Sequence, residues 1–166
     1  MFRKIDDFNA AWAQEMESTL KVLGSISDEA LSQKVDAHGR TLGKLAWHLV
    51  ETLQEMLPAA GLKVDFHIDP TDVPTSASEI VSRYRTGAVL LGEAVSSQWD
   101  DAALATETNM YGMPWARGYT LLVLLMHQSH HRGQMTVLMR QAELPVPGVC
   151  GPARQEWAMM GMEPQD

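Results

Sequence analysis

Apolar residues recur along the chain at three- and four-residue steps in four separate stretches, and nowhere do they alternate over the length of a strand. In the first stretch Ile5, Phe8, Trp12, Met16, Leu20 and Leu23 fall in one stripe, and Gly24 ends it. That spacing is the signature of an amphipathic helix that buries one side. Ser27-Asp-Glu-Ala-Leu follows, which reads as a short helix with Ser27 as N-cap and acids in its first turn. The second stretch predicts a helix over Thr41–Leu57 that turns Leu42, Leu45, Leu49, Leu53 and Met56 inward and is closed by Pro58 and Gly61. A third helix is predicted from Ser76, where Ser76 and Glu79 have capping-box spacing, through Ile80, Tyr84, Val89 and Leu91 toward Trp99. The fourth, Tyr119–Glu143, is apolar on most sides, which suits a core element or an oligomer interface.

Between these helices, residues 61–75 are rich in Gly, Asp and Pro, and residues 100–118 hold Asn109, Gly112, Pro114 and Gly118 without a period. Both read as long connections. Pro145 and Pro147 stop the fourth helix, and a short tail helix over Ala153–Met160 is expected to pack through Trp157. Four long amphipathic helices with connections too long for hairpins predict an all-α fold, a four-helix bundle with crossovers, in one domain over residues 1–166.

Composition narrows the function. Thirteen basic against twenty-one acidic residues give a formal charge of -8, and the basic residues are scattered, so a phosphate backbone would be repelled and no nucleic-acid partner is expected. The longest strongly apolar run, Tyr119–Met126, is far short of the roughly 20 residues that span a bilayer, so no membrane partner is expected. Asp6, Asp7 and Asn9 interrupt the place where a signal peptide needs its apolar run, and the single Cys150 excludes an intramolecular disulfide framework. A cytoplasmic location fits these features. Cys150 itself reads as a small loop-packing thiol rather than a nucleophile.

The chemistry concentrates in histidines. His127 and His131 are four apart on the fourth helix, which stacks both imidazoles on one face. One helix face cannot surround an ion, so a third ligand must come from elsewhere. His48 sits mid-helix beside Leu45, Trp47 and Leu49, where a buried imidazole needs a partner. An isolated pair at this spacing is also compatible with a surface coincidence. His130 should rotate about 100° away from His131 on the helix, toward the surface or the outer shell of the site. His38 and His67 fall in predicted loops. A zinc-protease helix would carry Glu after its first histidine, but Gln128 stands there, and no nucleophile elbow, phosphate loop or C-x-x-C pair occurs.

The string His127-Gln-Ser-His-His-Arg-Gly-Gln134 resembles the H-x-x-H-H-R-G-Q signature of the DinB/YfiT-like superfamily. The Leu-Ala-Trp-His48-Leu segment is similar to that family's second-helix histidine. The Leu-Pro-Val-Pro run and the Gly-Pro…Glu-Trp157 tail extend the likeness over nearly the whole chain. The resemblance implies a four-helix bundle, usually dimeric, with His48, His127 and His131 as metal ligands. Arg132, Gly133 and Gln134 match the motif without being ligands. A glycine at position 133 inside a helix costs roughly 0.5–1 kcal/mol, for which a close helix approach is expected to compensate. Gln134 is expected to hold a neighbouring helix or cap a loop.

Three neutral imidazoles leave coordination positions open, the arrangement of a catalytic centre. Zinc and nickel both suit such ligands. The resemblance implies a metal-activated low-molecular-weight thiol attacking an electrophilic small molecule. A non-catalytic, stress-associated metal-binding dimer and a metal-dependent hydrolase stand as alternatives. No general base is assigned. Glu51, one turn after His48, reads equally as a partner orienting an imidazole or as an exposed helix charge. Arg117, Arg132 and Arg154 could recognise a carboxylate on the thiol, with surface salt bridges as the ordinary expectation for each.

Overall fold

The computed structural model describes residues 1–164. Four α-helices dominate it: α1 (Ile5–Leu23), α2 (Leu42–Ala59), α3 (Ala77–Gln98) and α4 (Arg117–Gln141). Helix α1 has the predicted bounds and stops at Gly24. Helix α2 begins behind Thr41, whose side-chain oxygen accepts the Lys44 N–H at 3.0 Å. It runs two residues past Leu57, with Pro58 inside its last turn, and Leu62 N–H returns to the Leu57 carbonyl at 3.0 Å.

The packing order is α1–α3–α2–α4 around the bundle: α1 and α2 each lie against α3 and α4. Directions follow from paired residues. Phe2 meets Gly118, and Thr19 meets Arg132, so α1 and α4 are parallel. Asn9 meets Ser96 and Trp12 meets Ala88, so α1 and α3 are antiparallel. Ala60 is bonded to Arg117 and Thr52 to Gln128, so α2 and α4 are also antiparallel. Helices α2 and α3 therefore run the same way. The chain between them must return along the bundle, which is why residues 61–75 are long. They do so beside α2: Gln54 exchanges two hydrogen bonds with Ile68, at 2.7 and 3.0 Å, and Lys44 Nζ donates to the Pro70 carbonyl at 3.0 Å. Phe66 from this segment covers Gly87 of α3 so closely that a Cβ there would lie 2.7 Å from its ring.

The core is built from the predicted stripes. Phe8, Leu49, Leu53, Ile80, Tyr84, Leu91, Leu121 and Leu124 are all fully buried. Val89 is not: the inward face of α3 passes through Ala88, and Val89 points outward at 42% exposure. The capping box at Ser76 does not form either. Ser76 pairs with the Ser78 hydroxyl, and the first free amide of α3, that of Ala77, is taken by Asp28 Oδ1 at 2.7 Å from the α1–α2 connection. That connection carries a 3-10 turn, Glu29–Ser32, headed by Asp28 rather than Ser27.

The predicted structureless connection over 100–118 holds an antiparallel hairpin, β1 (Glu107–Met110) and β2 (Met113–Ala116). Its two-residue turn puts Tyr111 and Gly112 both at positive φ, 55° and 84°, the backbone a tight hairpin needs. The strands are short and Pro114 interrupts one, so no alternation was visible. The tail helix is a 3-10 turn, Arg154–Met160, that buries none of its residues.

Candidate metal centre

Helices α2 and α4 cross with Gln128 between them. Its buried Nε2 donates to the Leu49 carbonyl at 3.2 Å and to Thr52 Oγ1 at 2.9 Å. The residue in the zinc-protease glutamate position is thus a clasp between helices. On α4's other side Arg132, expected at the surface, is buried in an ion pair with Glu15 and a 2.8 Å hydrogen bond to Thr19 Oγ1. These two clasps set the rotation of α4, and that rotation points His127 and His131 at His48.

The three imidazoles come together with ligand nitrogens all within 4.8 Å of one another. Ring centroids are 4.5 Å apart for His127 and His131, 4.7 Å for His48 and His131, and 5.2 Å for His48 and His127. His48 Nδ1 lies 2.9 Å from Glu51 Oε2, a carboxylate that accepts the ring proton there and leaves Nε2 with its lone pair. That Nε2 is 3.1 Å from His127 Nε2. Without an ion that contact is a neutral N–H···N hydrogen bond, and a bound metal would take the place of its proton. Ligand nitrogens about 2.0–2.1 Å from a tetrahedral ion sit a little over 3 Å apart, so the donor set fits a divalent metal.

Each of two rings has a partner that fixes its tautomer. Glu51 holds His48 and is itself held by Lys44 Nζ at 2.8 Å, so it is an orienting partner rather than a free helix charge. Gln134 Oε1 accepts from His131 Nδ1 at 2.8 Å, while its amide nitrogen is 3.2 Å from His130 Nε2. The glutamine of the motif therefore acts on the histidines of its own helix, not on a neighbouring helix or loop. Burial pushes the His127 pKa down to about 4, helped by the charges of His131, His48, His130 and Arg40. Burial also lowers His131, against the Gln134 hydrogen bond. Both rings are neutral at physiological pH, as metal ligands must be. Burial alone would raise the Glu51 pKa, but its bonds to Lys44 and His48 prevail and lower it, keeping a carboxylate beside the site.

The remaining sequence candidates lie elsewhere. His130 is exposed, its ring 4.9 Å from His131, and His38 and His67 are exposed in loops. Arg117 donates to the Ala60 carbonyl at 3.1 Å and lies 4.7 Å over the Trp99 ring, a cap for α2 rather than a substrate group. Arg154 is exposed at the start of the C-terminal turn. Gly133 faces open space with nothing within 4 Å of a Cβ position, so no close helix approach accounts for it.

Beside His131 opens a cavity of about 510 Å³ walled by Val35, Leu45, Gln134, Val137 and, from the loop preceding α2, Arg40. Sequence reasoning missed Arg40. Its only signal was its place just before the N-cap of the helix that carries His48.

A helical bundle presenting three convergent imidazoles with an open side is the frame of a histidine-cluster bundle protein. The match with known proteins is specific: the DinB family model covers residues 1–166, and the chain belongs to that family. It is 40% identical over 163 residues, 98% of each chain, to the uncharacterised protein YrdA of Bacillus subtilis strain 168. A crystal structure of a DinB-like protein from Bacillus cereus ATCC 10987 is 44% identical and superposes with a TM-score of 0.86, covering 90% of this chain and 99% of that one. A second DinB-like protein, YjoA of B. subtilis, shares the fold with a TM-score of 0.64 at 15% identity, over 86% of this chain and 96% of that one. No helix of the described residues is long and apolar enough to cross a membrane.

Proposed function

We propose that the chain is a metal-dependent transferase that joins a low-molecular-weight thiol to an electrophilic small molecule, with His48, His127 and His131 holding zinc or nickel. One observation carries the reading: His131 belongs both to the histidine cluster and to the wall of the adjoining cavity. A structural centre is closed by a fourth protein ligand, whereas three ligands beside a space for a small molecule suit a catalytic one. A bound divalent ion supplies the positive charge that brings a thiol pKa toward neutrality.

The chain's own groups prepare that chemistry. Glu51 and Gln134 hold ring protons at Nδ1 of His48 and His131, so both rings present their other nitrogen. Arg40 adds positive charge at the mouth, favouring thiolate over thiol. Glu51 has both oxygens committed, to Lys44 and His48, and is not the base; the thiol proton leaves to solvent. The sulfur then forms a bond to the electrophilic carbon, and the leaving group departs with its electron pair.

Protein loaded with zinc or nickel is expected to consume a chromogenic aryl halide in the presence of bacillithiol, mycothiol or glutathione, and to lose that activity in His127→Ala. No turnover with any thiol, together with a large drop in melting temperature on chelation, would sink the enzyme reading in favour of a structural metal.

The same reading includes a cytoplasmic homodimer. Tyr119 and Met126 of α4 stand exposed at 41% and 60%, and Tyr119 continues a ring ladder through Trp115 to Tyr111. These exposed apolar side chains on one side of α4 support that reading. Light scattering is expected to give twice the chain mass, and Met126→Glu to halve it.

A further inference from the structure

The cavity beside His131 is unlike the histidine cluster in composition. Leu45 and Leu138 are buried in its floor, and Val35 and Val137 stand at its rim with 60% and 50% of their surface exposed. Exposed apolar side chains flanking one depression form a trough that an apolar ligand would fill. None of the residues lining it is acidic. The nearest acid in the loop, Asp36, is turned onto its own backbone, accepting the N–H groups of His38 and Gly39 at 2.8 and 2.7 Å. Arg40 is therefore the one charged lining residue, and it makes no hydrogen bond or ion pair with any described residue. By contrast, the buried guanidinium of Arg132 has its two terminal nitrogens paired, with Glu15 and Thr19.

We infer that this cavity binds a small molecule with an apolar body and one carboxylate, the body along Val35, Leu45, Val137 and Leu138 and the carboxylate on Arg40. A planar guanidinium pairs two-pronged with a carboxylate, and a single arginine among apolar walls matches a monoanion better than a polyanion. The molecule lies against His131, so in the proposed reaction it is the substrate or the thiol. That role rests on the transferase reading; the binding does not.

Octanoate and octan-1-ol are suitable probes, titrated calorimetrically into metal-free and metal-loaded protein. Metal-free protein is expected to bind octanoate more tightly than octanol. Arg40→Ala should weaken octanoate about tenfold in both metal states, the range of a charge-assisted hydrogen bond, and leave octanol within about twofold. Arg40→Lys should restore part of the loss, and Val137→Gln should weaken both probes. Arg40 is exposed in a loop, and unchanged circular dichroism of the variant checks its fold. The inference is overturned if metal-free protein binds no octanoate, if Arg40→Ala weakens both probes equally, or if binding occurs only with metal and ignores Arg40. Octanoate binding that depends on Arg40 without any thiol transfer would uphold this inference and sink the proposed reaction.

Discussion

His131 and Arg132 are neighbours on α4, and both are buried, yet they do opposite work. Arg132 turns toward α1, where Glu15 and Thr19 answer its charge within the chain. His131 turns toward α2, where its Nδ1 is held by Gln134 and its ring faces two more imidazoles rather than a carboxylate. Taking either group out of water is costly. One cost is offset internally, and the result is a structural tie. The other is left open, and the result is a place for a ligand. Burial of a polar group thus says little about its role until its partners are counted.

The comparison can be broken most severely at the open side. His48→Ala or His127→Ala is expected to abolish stoichiometric metal binding measured by elemental analysis, whereas His130→Ala leaves it essentially intact. Damage from His130→Ala instead would mean that α4 is rotated relative to the arrangement described here. On the closed side, Glu15→Ala strands the Arg132 charge and should cost about 3–5 kcal/mol in urea unfolding. It should leave metal stoichiometry at one per chain. Next in size, Glu51→Gln removes the carboxylate that orients His48 and should weaken metal affinity about 10–100-fold, measured by competition with a chelating dye.

A further effect is a pH dependence of the metal-free protein. His127 has a folded pKa of about 4, below the 6.5 of an unperturbed histidine. Its neutral form is the one that folding favours. The stability it contributes is fully present above 6.5 and is lost as pH falls toward 4, because the unfolded chain binds the proton first. Thermal melts of chelated protein across that window should therefore show falling midpoints, and His127→Gln should flatten the trend.

Much of the bundle was legible in the sequence because amphipathic stripes are local. The five inward positions predicted for α2 are all buried, and α1 has its predicted ends. The hairpin was not legible, since four-residue strands with Pro114 among them carry no period and Tyr111 is an unusual residue for a positive-φ turn. The start of α3 at Ser76 was legible but its cap was not, because the group that takes its first amide, Asp28, is 49 positions away. At the site, helical spacing brought out the histidines themselves. Their supports were harder to see. Glu51 was a named alternative, but Gln134 turned back on its own helix and Arg40 came from a loop with no pattern. Arg132 read as surface because an isolated arginine in a sequence cannot announce a carboxylate 117 positions away.

The placement of His48 and His127, 79 positions apart, has a bearing on how the protein is made. The other two imidazoles of the site lie on the last of the four helices, and α4 must dock parallel to α1 for its Arg132 to meet Thr19. A nascent chain emerging from the ribosome has His48 early but no partner for it until α4 has been synthesised and docked. Docking of distant segments is the slow part of folding. On the proposed reading metal capture is accordingly a late event that reports completion of the bundle, and a chain stalled before α4 should hold no ion at His48.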